Sequence, residues 1–323
     1  MNVQAAALAK AHRFDEQTLA FAGDVLEGLA RQPKRLSPKY FYDSTGSELF
    51  EKITLLPEYY PTRTELGILR GRSEAICAIV LKGAALVEFG AGATTKVRLL
   101  LNECEFGAYV PVDISGDFLN AQAIALRQDF PGLAVYPVTA DFTAPFALPE
   151  AVAAMPKVGF FPGSTIGNFE PHEACAFLRT ARDILGKNAR MVIGVDLEKG
   201  ERVLYEAYND KAGVTARFNL NLLNRINREL GGNFDLSAFT HRAIYNRERH
   251  RIEMHLISRK AHTVRVLGRS FSFRAGESIH TESSYKYSLE RFAALARGSG
   301  WAPLACWTDS DGMFSVHALE ASD

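Results

Sequence analysis

Excess charge is the first thing this 323-residue chain lacks: 37 Lys and Arg balance 37 Asp and Glu. A nucleic-acid binder normally shows a basic patch or stripe, whereas these charges are interspersed. The densest basic cluster, Arg247-Glu248-Arg249-His250-Arg251, is broken by a glutamate and reads as a solvated turn. Nucleic acid is therefore not an expected partner. Cysteine is scarce too. Cys77, Cys104, Cys175 and Cys306 are far apart in sequence and form no CxxC pair; three sit in apolar, helix-like or strand-like surroundings, where a reduced thiol acts as a small hydrophobe. No apolar run approaches the roughly 20 residues that span a bilayer. Met1 to His12 also lack the basic start and apolar core of a secretory leader. The expectation is a cytoplasmic, soluble monomer without membrane contact. A metal site is not expected either: His250 and His255 are five apart, which misses the spacing of H-E-x-x-H, and Glu253 is out of phase.

What is present is a nucleotide-binding turn. The apolar run Ala84-Ala85-Leu86-Val87 ends in Glu88-Phe89-Gly90-Ala91-Gly92-Ala93-Thr94-Thr95, and a helix-like stretch from Lys96 to Asn102 follows. Such a first turn belongs to a doubly wound α/β sheet. Glycine at 90 and 92 permits a sharp turn and close approach of a ligand. A second apolar run, Ala108-Tyr109-Val110-Pro111-Val112, delivers Asp113, whose two oxygens can accept both hydroxyls of a ribose. A dinucleotide fingerprint needs a third small residue, and position 95 is threonine. No phosphate loop of the G-x-x-x-x-G-K-[ST] type is present. The turn reads better as the first motif of S-adenosylmethionine (SAM) methyltransferases, whose cofactor carries no phosphate.

From Thr64 to Leu197 strands alternate with helices, as a parallel sheet with right-handed crossovers requires. Expected strands are Leu86–Phe89, Tyr109–Val112, Val158–Phe161 and Arg190–Leu197. Expected helices are Thr95–Cys104, Asp117–Phe130 and Pro171–Leu185, the second with an apolar stripe at Phe118, Leu119, Ala123, Ile124 and Leu126. After a helix at Ser288–Arg297, strands Trp301–Thr308 and Met313–Leu319 flank Asp309-Ser310-Asp311-Gly312, an antiparallel hairpin. The expected fold is a class I SAM-methyltransferase α/β sheet with an antiparallel C-terminal hairpin, plus a second, α+β substrate-binding domain. Residues 64–197 and 288–323 form the core. Residues 1–63 and 198–287, with a helix near Val214 to Leu230 and a β-rich region Arg251–His280, form the second domain, expected over the carboxyl ends of the strands.

Three further segments can carry chemistry, and each has a plainer reading. Thr165-Ile166-Gly167-Asn168 follows the fourth strand, where this fold faces the transferred methyl; Asn168 could instead cap the next helix. The tyrosines of Tyr40 to Phe50 and Leu56 to Arg63 could cage a cation or pack a loop. Glu282 and Ser284 point to one face if they lie on a strand, toward a ligand ring or toward solvent.

These segments in this order resemble one family, the histidine-specific SAM-dependent Nα-methyltransferases of ergothioneine biosynthesis. The resemblance runs from about Pro38 to the end. It rests on Phe41-Tyr42-Asp43, Gly46-Ser47-Glu48-Leu49-Phe50, Pro57-Glu58-Tyr59-Tyr60-Pro61-Thr62-Arg63, Ser164-Thr165-Ile166-Gly167-Asn168, Ala212-Gly213-Val214-Thr215-Ala216 and Arg251-Ile252-Glu253-Met254. Pro162-Gly163 departs from the paired glycines more usual there. The resemblance implies SAM contacts at Gly90, Lys96, Asp113, Asp141 and Phe142. It implies histidine contacts at Tyr59, Asn168, Tyr208, Glu282 and Ser284, with Tyr42 and Met254 lining the same pocket. It also implies three successive transfers to L-histidine; because the α-amine must lose a proton before each attack and be held in line, Tyr42 and Asn168 are the candidate catalytic residues.

Three other readings remain. Another aromatic amino acid as acceptor is disfavoured by Glu282, which suits a ring N–H. A dinucleotide oxidoreductase lacks its third glycine, and a non-catalytic SAM-binding module has no use for the substrate residues.

Overall fold

The computed structural model describes residues 15–322; the reading of Met1 to His12 lies outside them, as does the side chain of Phe118. The chain divides into two units: Met1–Tyr59 with Gly200–Ser284, and Tyr60–Lys199 with Tyr285–Asp323.

The second of these is built on an eight-stranded sheet. Its first strand, Ala85–Phe89, is buried at every position, as a parallel strand covered on both faces must be. Ala108–Asp113 pairs with it on one side and Lys157–Phe161 on the other, both parallel. Successive strands thus run outward in one direction from Ala85–Phe89 and then return to its other side, continuing to Arg190–Asp196. That reversal is the switch point at which doubly wound sheets bind ligands, at the strands' carboxyl ends. Phe314–Ala321 joins Arg190–Asp196 antiparallel and carries Trp301–Thr308 at the edge. The mixed α/β sheet with its C-terminal hairpin is the class I methyltransferase arrangement.

The crossover helix Pro171–Leu185 shows how local chemistry sets these elements. Glu170 and Glu173 form a reciprocal capping box, with proline in the first turn. Ala174, Phe177, Leu178, Ala181 and Leu185 are buried at helical spacing, and Gly186, at φ 85°, ends the helix. In Gly116–Asp129 the buried stripe is Leu119, Ala123 and Leu126, whereas Ile124 is 57% exposed. At about 100° per residue, position 124 turns away from that face.

Cys77 and Cys104 are not the separate thiols expected. They form a disulfide, with Cα atoms 5.1 Å apart. The helix Ser73–Cys77 ends where the cap of helix Thr95–Glu103 lies, a meeting hidden by 27 residues of separation. Cys175 and Cys306 are free.

The other unit has a four-stranded sheet ordered Lys34–Arg35, Ser278–Tyr285, Arg251–Ser258, Phe239–Asn246. Its β structure thus begins before Arg251, and a short N-terminal strand adds to it in parallel. Helices Glu16–Ala30, Ser44–Thr54, Glu201–Tyr208 and Val214–Leu230 complete the unit, with a hairpin of His262–Val266 and Arg269–Phe273. Residues Arg247 to His250 do form the turn expected of the basic cluster, but Arg251 is buried at 4% exposure and paired with Glu253 at 2.7 Å. It is the first residue of an inner strand, so its charge is matched inside the fold.

Candidate active site

The residues expected to hold the cofactor gather at the carboxyl end of Ala85–Phe89. Phe89 is opposite Val112, so the chain leaves one strand at Gly90 beside Asp113 leaving the next. The amides of Gly90 and Ala91 both donate to the Val112 carbonyl, each at 2.9 Å. Gly90 has φ 72°, and a Cβ there would lie 3.2 Å from the Phe142 ring. Backbone conformation and the close ring both call for glycine. Asp113 accepts the Ser115 amide at 2.8 Å. Burial raises its carboxyl above the ordinary range, while hydrogen bonds from Ser115 and Ile114 pull it down. Asp141 is exposed and accepts from the amide and hydroxyl of Thr143.

Lys96 does not stand free as a cofactor ligand. Its Nζ lies 2.6 Å from Glu65, whose side chain is 1% exposed. Both Glu65 oxygens also accept the Gly163 amide at 2.9 Å. Gly194 leaves room for that carboxylate, since a Cβ there would be 2.0 Å from it. Glu65 therefore ties the loop at 162–165 to the helix that follows the glycine turn. Sequence reading missed it because its partners are 31 and 98 positions away. With Lys96 neutralised, these residues suit a cofactor with ribose hydroxyls and no phosphate. SAM fits that donor set better than a dinucleotide does.

Glu88 lies beneath this turn at 2% exposure and accepts the Tyr109 hydroxyl at 2.5 Å. Burial raises its pKa to about 8, with the Tyr109 hydrogen bond opposing. The neighbouring loop enters the 3-10 turn Thr165–Asn168 through Ser164 at φ 55°. Asn168 closes that turn. The helix cap is Glu170, so the plainer reading of Asn168 as a cap is removed.

In the other unit the structure brings most of the expected substrate residues into one chain of contacts. Tyr42 packs on Phe50 and Phe218, with ring centroids 5.6 and 5.8 Å apart. Phe50 meets Tyr59 at 6.3 Å, and Tyr59 meets Tyr208 at 6.2 Å. The Tyr208 hydroxyl then donates to Ser284 Oγ at 2.8 Å. Glu282 and Ser284 share the strand Ser278–Tyr285 and are both buried. Met254, 1% exposed, sits on the adjacent strand and accepts the Thr281 hydroxyl through its carbonyl.

The motif around Tyr42 is explained by its turn. Asp43 caps Ser44–Thr54 by accepting the Gly46 amide, and also accepts from Asn221 and Arg228. A Cβ on Gly46 would lie 1.7 Å from the Phe41 carbonyl oxygen, so only glycine fits. The tyrosine-rich segments divide in role. Tyr40 is buried and bonded to Asp24 at 2.6 Å, and Tyr60 is 1% exposed and bonded to Asp196. Both are structural, whereas Tyr42 and Tyr59 belong to the aromatic chain. His255 lies 3.3 Å from Glu253, and no cluster of metal-binding side chains occurs among the described residues.

The family of histidine-specific, SAM-dependent methyltransferases matches residues 21–321. The chain belongs to that family. It is 42% identical over 313 residues to the histidine N-alpha-methyltransferase of Mycolicibacterium smegmatis, covering 94% of this chain and 95% of that protein. The Mycobacterium tuberculosis protein of the same name is 39% identical over 312 residues, again with 94% and 95% covered. Ergothioneine biosynthesis protein 1 of Neurospora crassa is 29% identical over 90% of this chain, which spans a third (33%) of that longer protein. This histidine-specific methyltransferase is thus a SAM-dependent enzyme whose acceptor is a small molecule. No described helix is long and apolar enough to cross a membrane.

Proposed function

We propose that this methyltransferase transfers three methyl groups in succession from SAM to the α-amino group of L-histidine, giving hercynine, a step of ergothioneine biosynthesis. Family membership and the two histidine N-alpha-methyltransferases support the acceptor and the atom. The Neurospora crassa relative supports the pathway. The observation that carries the residue assignments is the linked row Tyr59, Tyr208, Ser284, with Glu282 one strand repeat before Ser284.

SAM, when bound, supplies a methyl group activated by its sulfonium. The residues that would hold it are Gly90, Asp113, Asp141 and Phe142, with Lys96 acting through Glu65. Attack by an amine moves charge without creating it, so the protein's task is alignment, which can supply about 7–11 kcal/mol. Glu282 accepts from one imidazole N–H. Ser284 donates its hydroxyl proton to the other ring nitrogen. Asn168 donates to the substrate carboxylate. Tyr208 has a single proton, so holding that carboxylate as well requires it to exchange its Ser284 bond on binding. Tyr42 orients the α-amine and passes its proton to water before each transfer. Met254 fills the wall of the ring pocket.

A cytoplasmic monomer completes the proposal. The disulfide weighs against that compartment, where such bridges are rare, and a thiol count on protein from unreduced lysate tests it. The function is tested by incubating the protein with SAM and each of the twenty amino acids and reading products by mass. Gain of three methyl groups on histidine is expected. Methylation of a different amino acid in its place overturns the substrate, and methylation of none overturns the catalytic reading.

A further inference from the structure

The chain passes between its two units three times, at Tyr59–Tyr60, Lys199–Gly200 and Ser284–Tyr285. At each passage a residue of the sheet-bearing unit, no more than two positions away, is bonded to one side chain. That side chain is Asp196, the last residue of its strand and 1% exposed. The Tyr60 hydroxyl reaches its two oxygens at 2.9 and 2.7 Å. Lys199 Nζ lies 2.6 Å from one oxygen and 2.7 Å from the Tyr60 hydroxyl, with its charge 4.4 Å from the Tyr60 ring centroid. Lys286 Nζ lies 2.7 Å from the other oxygen. The backbone of Asp196 joins in: its amide donates to Ser164 Oγ at 2.9 Å, and its carbonyl accepts the Tyr287 amide at 3.0 Å.

Each side-chain partner stands at one end of a segment that carries a proposed histidine contact. Tyr60 follows Tyr59. Ser164 opens the turn that ends at Asn168. Lys199 precedes helix Glu201–Tyr208, which ends on Tyr208. Lys286 lies two residues beyond Ser284 and four beyond Glu282. We infer that Asp196 is a positioning residue for the acceptor: it fixes the roots of the four segments that carry Tyr59, Asn168, Tyr208, Glu282 and Ser284.

Burying a carboxylate with two ammonium groups is costly unless every partner is met with good geometry. Once met, the charge-assisted bonds are stiff and short-ranged. A core serving stability alone has no need of this arrangement at all three passages, since apolar packing of the same volume is often as stable. The inference rests on the residue assignments proposed above.

The experiment compares Tyr60→Phe, Asp196→Asn, Tyr59→Phe and Ser284→Ala. For each, kcat and KM for histidine are measured, together with calorimetric affinity for S-adenosylhomocysteine. Tyr60→Phe removes three hydrogen-bond contacts with little change of shape. It should raise histidine KM about tenfold, with S-adenosylhomocysteine affinity within about twofold of wild type. Asp196→Asn should do more where it folds; where it does not, Tyr60→Phe carries the test. An unchanged histidine KM in Tyr60→Phe, or equal weakening of histidine and S-adenosylhomocysteine, overturns the positioning role. A raised KM in Tyr60→Phe with none in Tyr59→Phe or Ser284→Ala overturns the residue assignments instead, and leaves Asp196 as the junction behind other histidine contacts.

Discussion

The Tyr208 hydroxyl donates to Ser284 Oγ at 2.8 Å across 76 positions of sequence. This bond joins the end of helix Glu201–Tyr208 to the strand Ser278–Tyr285, both of which carry proposed histidine contacts. Tyr208→Phe should therefore weaken histidine more than SAM. With a hydrogen bond to an ionised carboxylate worth about 1.5–3 kcal/mol, histidine KM should rise roughly 10- to 100-fold. Steady-state kinetics with calorimetry of S-adenosylhomocysteine checks it. Parallel losses on both ligands would contradict the assignment.

Asp113 is the test of the cofactor half. Its carboxylate is partly buried beside the glycine turn and holds the Ser115 amide. Asp113→Ala should lower SAM affinity at least about tenfold, taking about 1.5 kcal/mol or more for a charge-assisted bond, with the melting temperature little changed. Wild-type affinity in this variant would remove Asp113 from the site.

The proposed reader of the imidazole ring is Glu282, which is 8% exposed. A buried carboxylate left without a ring N–H penalises the wrong acceptor, and such discrimination can reach about 10⁴-fold. Glu282→Ala should lose most activity on histidine. Combined with Met254→Val, which opens the wall, it should gain relative activity on tryptophan and phenylalanine. The readout is kcat/KM for the three amino acids in wild type and both variants. A constant histidine-to-tryptophan ratio means that Glu282 does not read the ring.

Glu88 makes a pH-dependent contribution whose sign follows from its environment. Burial raises its pKa from 4.5 to about 8 in the folded state. Between those values the folded protein holds a proton that the unfolded chain has released. Stability from this group is thus complete below about pH 4.5 and declines as pH rises to about 8, by up to about 1.4 kcal/mol per unit. Glu88→Gln is neutral throughout and can still accept the Tyr109 hydroxyl. Its melting temperature relative to wild type should climb between about pH 5 and 8. A difference that stays flat over that range would refute the protonated state of Glu88.

What could be read from sequence was what local chemistry controls. Gly90 and Gly92 after an apolar run, with Asp113 ending the next, specify a ligand-binding turn because backbone freedom and strand length act within a few residues. The Pro171–Leu185 helix is legible for the same reason, since its cap, stripe and terminal glycine are contiguous. The residue assignments came with the resemblance: spacing alone left Asn168 between cap and site, and left the tyrosines between cage and packing. Only the tertiary structure separates Tyr60 and Tyr40, held by Asp196 and Asp24, from Tyr42 and Tyr59 in the aromatic row.

The same limit hid Glu65, the disulfide and Asp196. A buried charge is specified by the partners that offset its desolvation, and those of Asp196 and Glu65 lie as far as 136 and 98 positions away. No local pattern distinguishes such a carboxylate from one on the surface. Sequence by itself therefore determined the cofactor turn, the order of the core elements and the family. The fold decided which charges are buried together and which side chains touch, because those are properties of contacts formed only when distant segments close on one another.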